Sequence, residues 1–240
     1  IYQSLGRNNR CGKNNKKLFR INIEMSEDIN STRLQVAASA GGGGSVAIVK
    51  YNAGNIQSVL FALERVGVQA RVTDDKEELL AADKVIFPGV GAARSAMDSL
   101  KEKGLDKVIQ QFQQPVLGIC VGMQLLFEHS EESDTECLSI IPAKVRLFRP
   151  PSGDGGKVPQ IGWNEIYDLK SPLFKDVPEK SYVYYVHSYY AEMNPFCIGT
   201  SEYGVEYCGA VQKDNFYGVQ FHTEKSAEVG ERILKNFLDL

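Results

Sequence analysis

From Ser45 onward, short apolar runs alternate with stretches that carry apolar residues at helical spacing. The apolar runs predict strands and the periodic stretches predict helices. Alternation of this kind, with strands that are apolar throughout, is typical of a parallel sheet covered on both faces. Right-handed crossovers then make a three-layer, doubly wound α/β fold. The predicted strands are 46–49, 68–72, 84–87 and 116–119, and the predicted helices are 56–66, 92–112 and a segment that begins at 121.

The pattern changes after about residue 140, where strand-like runs are separated by turns rich in proline and glycine. This change predicts antiparallel additions to the parallel sheet, followed by a final amphipathic helix over 227–238. We therefore expect one domain over residues 45–240. The added strands are predicted at 144–148, 163–169, 182–186, 209–213 and 217–221.

Residues 1–44 differ from the rest, because they are rich in asparagine and basic residues and end in four consecutive glycines. A segment without a periodic apolar face predicts a disordered extension, derived from a vector or from an upstream start. The alternative is an organelle-targeting leader, since basic, acid-poor leaders have this composition. The first interpretation predicts a cytoplasmic protein, and the second allows a plastid location.

Charge and composition exclude several classes of function. The net charge of −3 provides no basic surface for nucleic acid, so no nucleic-acid partner is expected. The apolar runs are far shorter than the roughly 20 residues of a membrane-spanning helix, so no membrane partner is expected. Five cysteines without C-x-x-C spacing predict neither a zinc ribbon nor a disulfide framework. We predict no metal site and no cofactor, and a reducing compartment.

The stretch GICVGMQ places Cys120 between two glycines where a predicted strand becomes a helix. Ligands of open α/β sheets gather outside the carboxyl ends of the strands, and Cys120 falls at such an end. G-x-C-x-G also matches the strand-turn-helix elbow that exposes a catalytic nucleophile. A buried cysteine at a tight corner explains the same residues, because cysteine is among the most buried residue types. The motif alone leaves both interpretations open.

Only three histidines are available as a base for this cysteine. His222 ends an apolar run and is followed two residues later by Glu224, which in an extended chain lies on the same side. A carboxylate that orients the imidazole completes the arrangement of a nucleophile, a base and an orienting group. His187 has no carboxylate close in sequence, and His129 is expected on the helix after Cys120, pointing away. His222 is therefore the predicted base.

Acyl transfer also needs hydrogen-bond donors for the oxyanion. The turn Pro88-Gly89-Val90-Gly91 ends another predicted strand, and its glycines allow backbone N–H groups to approach a substrate closely. The N–H of Val121 is the expected second donor. Gln124 lies one helical turn after Cys120 and faces the same side. A simple strand-to-helix turn explains the glycines equally well when this segment is taken alone.

Taken together, PGVG (88–91), GICVGMQ (118–124) and FHTEKS (221–226) resemble the class I, triad-type glutamine amidotransferases in order and spacing. YNAGN (51–55), VPQIGWN (158–164) and YVHSY (185–189) resemble one branch of that family, the glutaminases of imidazole glycerol phosphate synthase. The resemblance extends over essentially all of residues 45–240. It implies a flavodoxin-like fold and hydrolysis of L-glutamine to glutamate and ammonia in histidine biosynthesis.

The resemblance also implies a role for each matching residue. Cys120 is implied as the nucleophile, His222 as the general base and acid, and Glu224 as the orienting carboxylate. The implied partner is a separate (β/α)8 cyclase subunit that consumes the ammonia. The oxyanion region is implied at Gly89, Val90, Gly91 and Val121, glutamine binding at Gln124, Glu132, His187, Ser188 and Tyr189, and the cyclase contact at Asn52, Asn55 and Lys225.

Thr223 departs from the family pattern, which commonly has proline between the histidine and the glutamate. Loss of the fixed φ of proline predicts a looser His222–Glu224 geometry and lower activity. Three alternative functions are compatible with the same motifs. These are the glutaminase of a different class I synthase, a catalytically degenerate binding subunit, and a hydrolase of γ-glutamyl peptides.

Overall fold

The computed structural model describes residues 44–52, 54–149 and 157–240. These residues form thirteen strands, six α-helices and two 3₁₀ turns, Pro172–Phe174 and Thr223–Lys225. The strands are β1 (Val46–Val49), β2 (Ala70–Thr73), β3 (Lys84–Gly89), β4 (Val116–Cys120), β5 (Phe127–Ser130), β6 (Thr135–Glu136), β7 (Ile141–Leu147), β8 (Gln160–Ile166), β9 (Ser181–His187), β10 (Tyr189–Ala191), β11 (Cys197–Glu202), β12 (Glu206–Lys213) and β13 (Phe216–Val219). The helices are α1 (Ile56–Arg65), α2 (Lys76–Ala81), α3 (Ala93–Glu102), α4 (Leu105–Ile109), α5 (Val121–Gln124) and α6 (Ala227–Leu238).

The central sheet has a parallel core in the order β2-β1-β3-β4-β13. It continues through β12, β10 and β7, which pair antiparallel, and then through β5 and β6, with β11 paired to β12. The predicted α/β fold with a mostly parallel central sheet is confirmed. Every residue of β1, β4 and β13 is buried, as expected for strands covered on both faces.

The predicted helix over 92–112 is wrong in its continuity, because it divides into α3 and α4 at Gly104. Gly104 has a φ of 64°, a left-handed conformation that ends a helix. The predicted helix from Val121 ends after four residues, and the chain then enters β5. His129 consequently lies on β5 and not on a helix, where its Nε2 contacts Asp134 at 2.8 Å.

Three of the runs predicted as antiparallel additions to the sheet pair differently from the prediction. The run over 217–221 contributes β13, which lies parallel to β4, because the turn at Asp214 reverses the chain between β12 and β13. The runs over 163–169 and 182–186 contribute β8 and β9, which pair with each other in a separate two-stranded sheet. That sheet carries residues of the site described below.

Residues 1–43 lie outside the described part of the chain, so the extension over 1–44 stays a prediction. Among the described residues, no helix has the length and apolar character needed to cross a membrane.

Candidate active site

Cys120 is the last residue of β4 and directly precedes α5. Its backbone has φ 54° and ψ −112°, a conformation that residues other than glycine rarely adopt. Strained backbone of this kind persists where the surrounding structure imposes it, and it concentrates at functional sites. The residue is only 3% exposed, and its Sγ lies 3.7 Å from the carbonyl oxygen of Val186. The structure thus has the sharp elbow that GICVGMQ predicts.

Close backbone packing holds this elbow in place. A Cβ added to Gly122 would lie 1.9 Å from the carbonyl oxygen of Phe87, and one added to Gly89 would lie 2.4 Å from the nitrogen of Gly122. Only glycine fits at either position, so β3 and the elbow approach each other more closely than side chains allow. This packing holds Cys120 beside Gly89, its partner in the β3–β4 register.

His222 and Glu224 are in direct contact, with 2.7 Å between His222 Nδ1 and Glu224 Oε1. Both side chains are almost completely buried, at 5% and 1% exposure. The physical basis predicted for this contact is wrong, because the two residues do not share an extended strand. β13 ends at Val219, and Thr223–Lys225 forms a 3₁₀ turn that folds the carboxylate back onto the imidazole.

Hydrogen bonds to neighbouring segments hold this turn. The His222 N–H donates to the Tyr184 carbonyl at 2.9 Å, and the Ser226 hydroxyl donates to the His222 carbonyl at 2.7 Å. The Ser226 hydroxyl also accepts from the Tyr184 N–H at 2.9 Å. With these bonds the His222–Glu224 contact is short although Thr223 stands where the family commonly has proline. The effect of Thr223 on activity stays a prediction.

Burial by itself lowers the pKa of His222, since it disfavours a charged imidazole. Hydrogen bonds to Cys120 and Glu224, together with their negative charges, outweigh this effect and raise the pKa of His222 to about 10. At neutral pH the site therefore favours an imidazolium at His222, held against Glu224 in the cavity that Cys120 lines. This is the charge distribution that activates a cysteine nucleophile.

Replacing Cys120 with alanine is expected to lower the pKa of His222 from about 10 towards its ordinary value of 6.5, because two of the contributions that raise it are lost. Histidine NMR titration measures this directly. In the wild type, the charged imidazole stabilises the fold fully below about pH 6.5, and this contribution is lost as the pH rises towards 10. Cys208→Ala, which removes a buried thiol outside the site, is the control. A His222 titration that is the same in Cys120→Ala as in the wild type would contradict the pairing.

A cavity of about 440 Å³ opens in front of Cys120, a size suited to a small molecule. Most of the predicted site residues line it. Three do not: Gly89 lies beneath the elbow, Glu224 lies behind His222, and Asn52 directs its side chain to Ser95 Oγ at 3.0 Å. The lining residues are Asn55, Val90, Gly91, Cys120, Val121, Gln124, Glu132, Pro159, Val186, His187, Ser188, Tyr189, His222 and Lys225.

Gln124 contacts protein groups with its amide nitrogen. Its Nε2 donates to the Tyr189 carbonyl at 2.8 Å and to Gln220 Oε1 at 2.9 Å. Gln220, which the motifs did not single out, is fully buried and directs its own Nε2 towards Cys120 Sγ at 3.8 Å. A polar residue within the apolar run before His222 was the available signal. Gln124 therefore fixes the backbone at Tyr189, and Gln220 links it to the cysteine.

His187 is buried among aromatic rings, with Phe148, Tyr185 and Tyr207 at centroid distances of 5.3 to 5.5 Å. Its Nδ1 donates to the Tyr189 carbonyl at 2.8 Å, because a carbonyl only accepts. Burial lowers the pKa of His187 to about 4, the charge on His222 adds to this effect, and the bond to Tyr189 opposes it. A neutral imidazole without a carboxylate partner fits a cavity wall better than a general base.

Glu132 supplies a carboxylate to the cavity. Its Oε2 accepts a hydrogen bond from the Ala93 N–H at 2.7 Å, which fixes the carboxylate at the start of α3. Burial raises the pKa of Glu132, and the bond from Ala93 partly offsets this. A half-buried carboxylate held in this way can bind the ammonium group of an amino acid.

Tyr51 supports the turn predicted as the oxyanion region, a role that sequence analysis missed. Its buried hydroxyl donates to the carbonyl oxygen of Pro88 at 2.5 Å and so orients the peptide before Gly89. Val90 and Gly91 line the same cavity as Val121. A nucleophile, a charged imidazole and two backbone segments that face one cavity are the components of acyl transfer through a covalent intermediate.

No group of three or more histidine, cysteine, aspartate or glutamate side chains is placed to hold a metal ion in residues 44–52, 54–149 and 157–240.

The family model for class-I glutamine amidotransferases matches residues 47–240. The chain belongs to this family. Among its relatives, it is 54% identical over 195 residues to the imidazole glycerol phosphate synthase subunit HisH of Bacteroides fragilis, a match that covers 81% of this chain and 99% of the relative. It is 49% identical over 198 residues to the subunit of the same name from Bacillus cereus, covering 80% and 93%.

Solved structures agree with the fold. A glutamine amidotransferase crystal structure superimposes with a TM-score of 0.63 at 16% identity, covering 82% of this chain and 98% of the other. A glutamine amidotransferase from Thermotoga maritima superimposes with a TM-score of 0.55 at 19% identity, covering 81% and 82%. At this identity the similarity concerns the fold.

Proposed function

We propose that this chain is the glutaminase subunit of an imidazole glycerol phosphate synthase and hydrolyses L-glutamine through a thioester at Cys120. The observation that carries the proposal is the strained, buried Cys120 in one cavity with His222, whose Nδ1 lies 2.7 Å from Glu224 Oε1. The high identity to HisH subunits supports the choice of this synthase over other class I synthases. An intact set of three groups argues against a degenerate binding subunit.

In the first half-reaction, the Cys120 thiolate attacks the carboxamide carbon of glutamine and forms a C–S bond. The carbonyl oxygen becomes an oxyanion, which backbone N–H groups of Val121 and the Val90–Gly91 segment stabilise. The His222 imidazolium gives its proton to the departing nitrogen, the C–N bond breaks, and ammonia leaves.

In the second half-reaction, neutral His222 removes a proton from water, and the resulting hydroxide attacks the thioester. The C–S bond breaks, glutamate leaves, and the Cys120 thiolate and the His222 imidazolium are restored. Glu224 keeps the imidazole in one orientation through both steps. The sum is glutamine and water converted to glutamate and ammonia.

Substrate binding follows from the remaining groups of the cavity. Glu132 is suited to the ammonium end of glutamine, because it supplies a fixed carboxylate to the cavity that Cys120 lines. The backbone over 187–189 is held by the bonds from Gln124 and His187 to the Tyr189 carbonyl. Two donors on one carbonyl make this segment a rigid support for a ligand.

The partner is a separate (β/α)8 cyclase subunit that consumes the ammonia. An exposed aromatic face on β8 and β9 supports docking of a protein here. Ile161, Trp163 and Tyr182 are 63%, 53% and 56% exposed. Large apolar side chains grouped on a surface mark interaction sites, and tryptophan and tyrosine are frequent binding hot spots.

This exposed face is continuous with the mouth of the cavity. Trp163 packs against Tyr184 at a centroid distance of 5.8 Å, and Lys225 Nζ lies 5.9 Å from the centre of the Tyr184 ring. Lys225 lines the cavity, and Val186, two residues after Tyr184 on β9, contacts Cys120. A subunit bound to Trp163 would therefore lie against the strand that forms the cavity wall.

We expect the full chain to hydrolyse glutamine faster when a cyclase subunit with its ribonucleotide ligand is added, as measured by glutamate release. Trp163→Ala should weaken cyclase binding by about tenfold or more, because a central aromatic contact is removed. Glutamine hydrolysis by Trp163→Ala at saturating cyclase should return towards the wild-type rate.

Leu80→Ala is the matched control, since Leu80 is also an exposed apolar residue, 45% exposed, but lies on α2. It should bind the cyclase as the wild type does. Absence of glutamine hydrolysis with and without the cyclase would overturn the proposed function. Equal binding by Trp163→Ala and Leu80→Ala would overturn the docking face.

A further inference from the structure

Asn55 contacts the triad carboxylate directly. Its side-chain Nδ2 lies 2.5 Å from Glu224 Oε1, the same oxygen that contacts His222 Nδ1 at 2.7 Å. A carboxylate only accepts hydrogen bonds, so the NH₂ group of Asn55 faces it and donates. The two residues are separated by 169 positions in the chain, and no sequence motif joins them.

The Glu224 carboxylate has few other restraints. The side chain is 1% exposed, and its Oε2 has no hydrogen-bond partner among the described residues. Both donors therefore converge on Oε1. If the Asn55 donor is removed, the carboxylate is free to rotate and to present either oxygen to His222, since only one bond then restrains it.

The backbone of Asn55 makes this donor rigid. Asn55 has φ 69° and ψ 9°, a left-handed conformation that asparagine tolerates better than most residues. Its carbonyl accepts from the N–H groups of Ser58 and Val59 at 3.1 and 3.3 Å, which begins α1. The amide is thus fixed at the start of α1, where it contacts Glu224 in the turn Thr223–Lys225.

We propose that Asn55 is a positioning residue for catalysis, whose amide selects the oxygen of Glu224 that orients His222. The inference rests on the proposed function for its kinetic readout. It gives Asn55 a role in positioning the triad carboxylate, in addition to the predicted place of Asn55 near the cyclase. The charged and titratable groups close to this contact are His222, which contacts Glu224, and Cys120 and Lys225, which line the cavity with Asn55.

Two variants of the full chain separate the amide from the backbone. Asn55→Gly keeps the left-handed conformation, which glycine adopts readily, and removes the donor. Asn55→Asp keeps the size and replaces the donor with a second carboxyl group. Two facing carboxylates hold one proton between them, so the aspartate donates to Glu224 only while that proton remains bound.

Glutamine hydrolysis, measured across pH with the wild type as reference, should show different profiles for the two variants. Asn55→Gly should lose about tenfold or more in kcat at every pH, with KM changed less, as when a group that orients a catalytic residue is removed. Asn55→Asp should recover activity at the acid end and lose it as the pH rises. Rates of Cys120 alkylation by iodoacetamide provide a second readout, and both variants should alkylate more slowly than the wild type at neutral pH.

Asp214→Gly is the matched control, because Asp214 is another residue with positive φ, 52°, and lies in the exposed β12–β13 turn. It should keep the wild-type kcat and alkylation rate. Asn55→Gly with a wild-type kcat, or parallel pH profiles for the two Asn55 variants, would overturn the inference. A wild type that hydrolyses no glutamine, with Asn55→Gly still slowing alkylation, would overturn the proposed function and leave the positioning role standing.

Discussion

Replacing Cys120 with alanine is expected to reduce glutamine hydrolysis by roughly 10⁵-fold, to the background rate, because no other group of the cavity can form the thioester. His222 and Glu224 remain in the variant but have no nucleophile to serve. The measurement is glutamate release by the full chain with the cyclase subunit present. Glutamine binding is expected to persist, since the sulfur contributes to the bond-forming step and not to recognition of the ammonium end.

Cys208→Ala is the matched control for this variant. Cys208 is fully buried, as Cys120 nearly is, but lies on β12 and contacts Asn194 at 3.4 Å. Its loss should cost stability and leave the rate of hydrolysis within a fewfold of the wild type. Residual activity of a few per cent in Cys120→Ala would contradict the assignment of the nucleophile.

Gly122→Ala is expected to lower the free energy of unfolding by about 3 kcal/mol or more and to abolish activity. The added Cβ would lie 1.9 Å from the Phe87 carbonyl oxygen, an atom of the backbone that cannot rotate away. β3 must then move from the elbow, and the conformation of Cys120 is lost with it. Urea unfolding followed by circular dichroism measures the change.

Gly67→Ala separates this steric effect from the conformational preference of glycine. Gly67 has a φ of 84°, and an added Cβ would meet nothing within 4 Å. Its replacement should cost about 1 kcal/mol, from the left-handed conformation alone, and leave activity unchanged. If Gly122→Ala lowered the free energy of unfolding no more than Gly67→Ala does, close packing would not be the reason why position 122 holds glycine.

Much of the fold could be predicted from sequence because its signals are local. Continuous apolar runs identified β1, β3 and β4, and these strands lie where the pattern placed them. The helix predicted from Val121 is shorter than expected, for a reason that is not local. The apolar run after Gln124 suits either a buried helix or a buried strand, and pairing of β5 with β7 decided for the strand.

The candidate site was predictable to a different degree at each residue. The elbow at Cys120 and the pair His222 and Glu224 follow from short motifs in which spacing limits the geometry. The conformation that joins the pair did not follow, because a 3₁₀ turn and an extended chain both bring residues i and i+2 within reach. Two hydrogen bonds of His222 select the turn: its carbonyl accepts from the Ser226 hydroxyl, and its N–H donates to the carbonyl of Tyr184 on β9.

The sequence by itself determined the parallel α/β core, the elbow with its glycines, and the family to which the chain belongs. These depend on hydrophobic periodicity and on residues adjacent in the chain. Only the tertiary structure decided the environment of the triad: the Asn55 amide on Glu224, the Gln220 amide beside Cys120, and the Tyr51 hydroxyl on Pro88. Each of these contacts joins groups 37 to 169 positions apart, and hydrogen bonding at that separation is set by how the strands and helices pack, which no local pattern encodes.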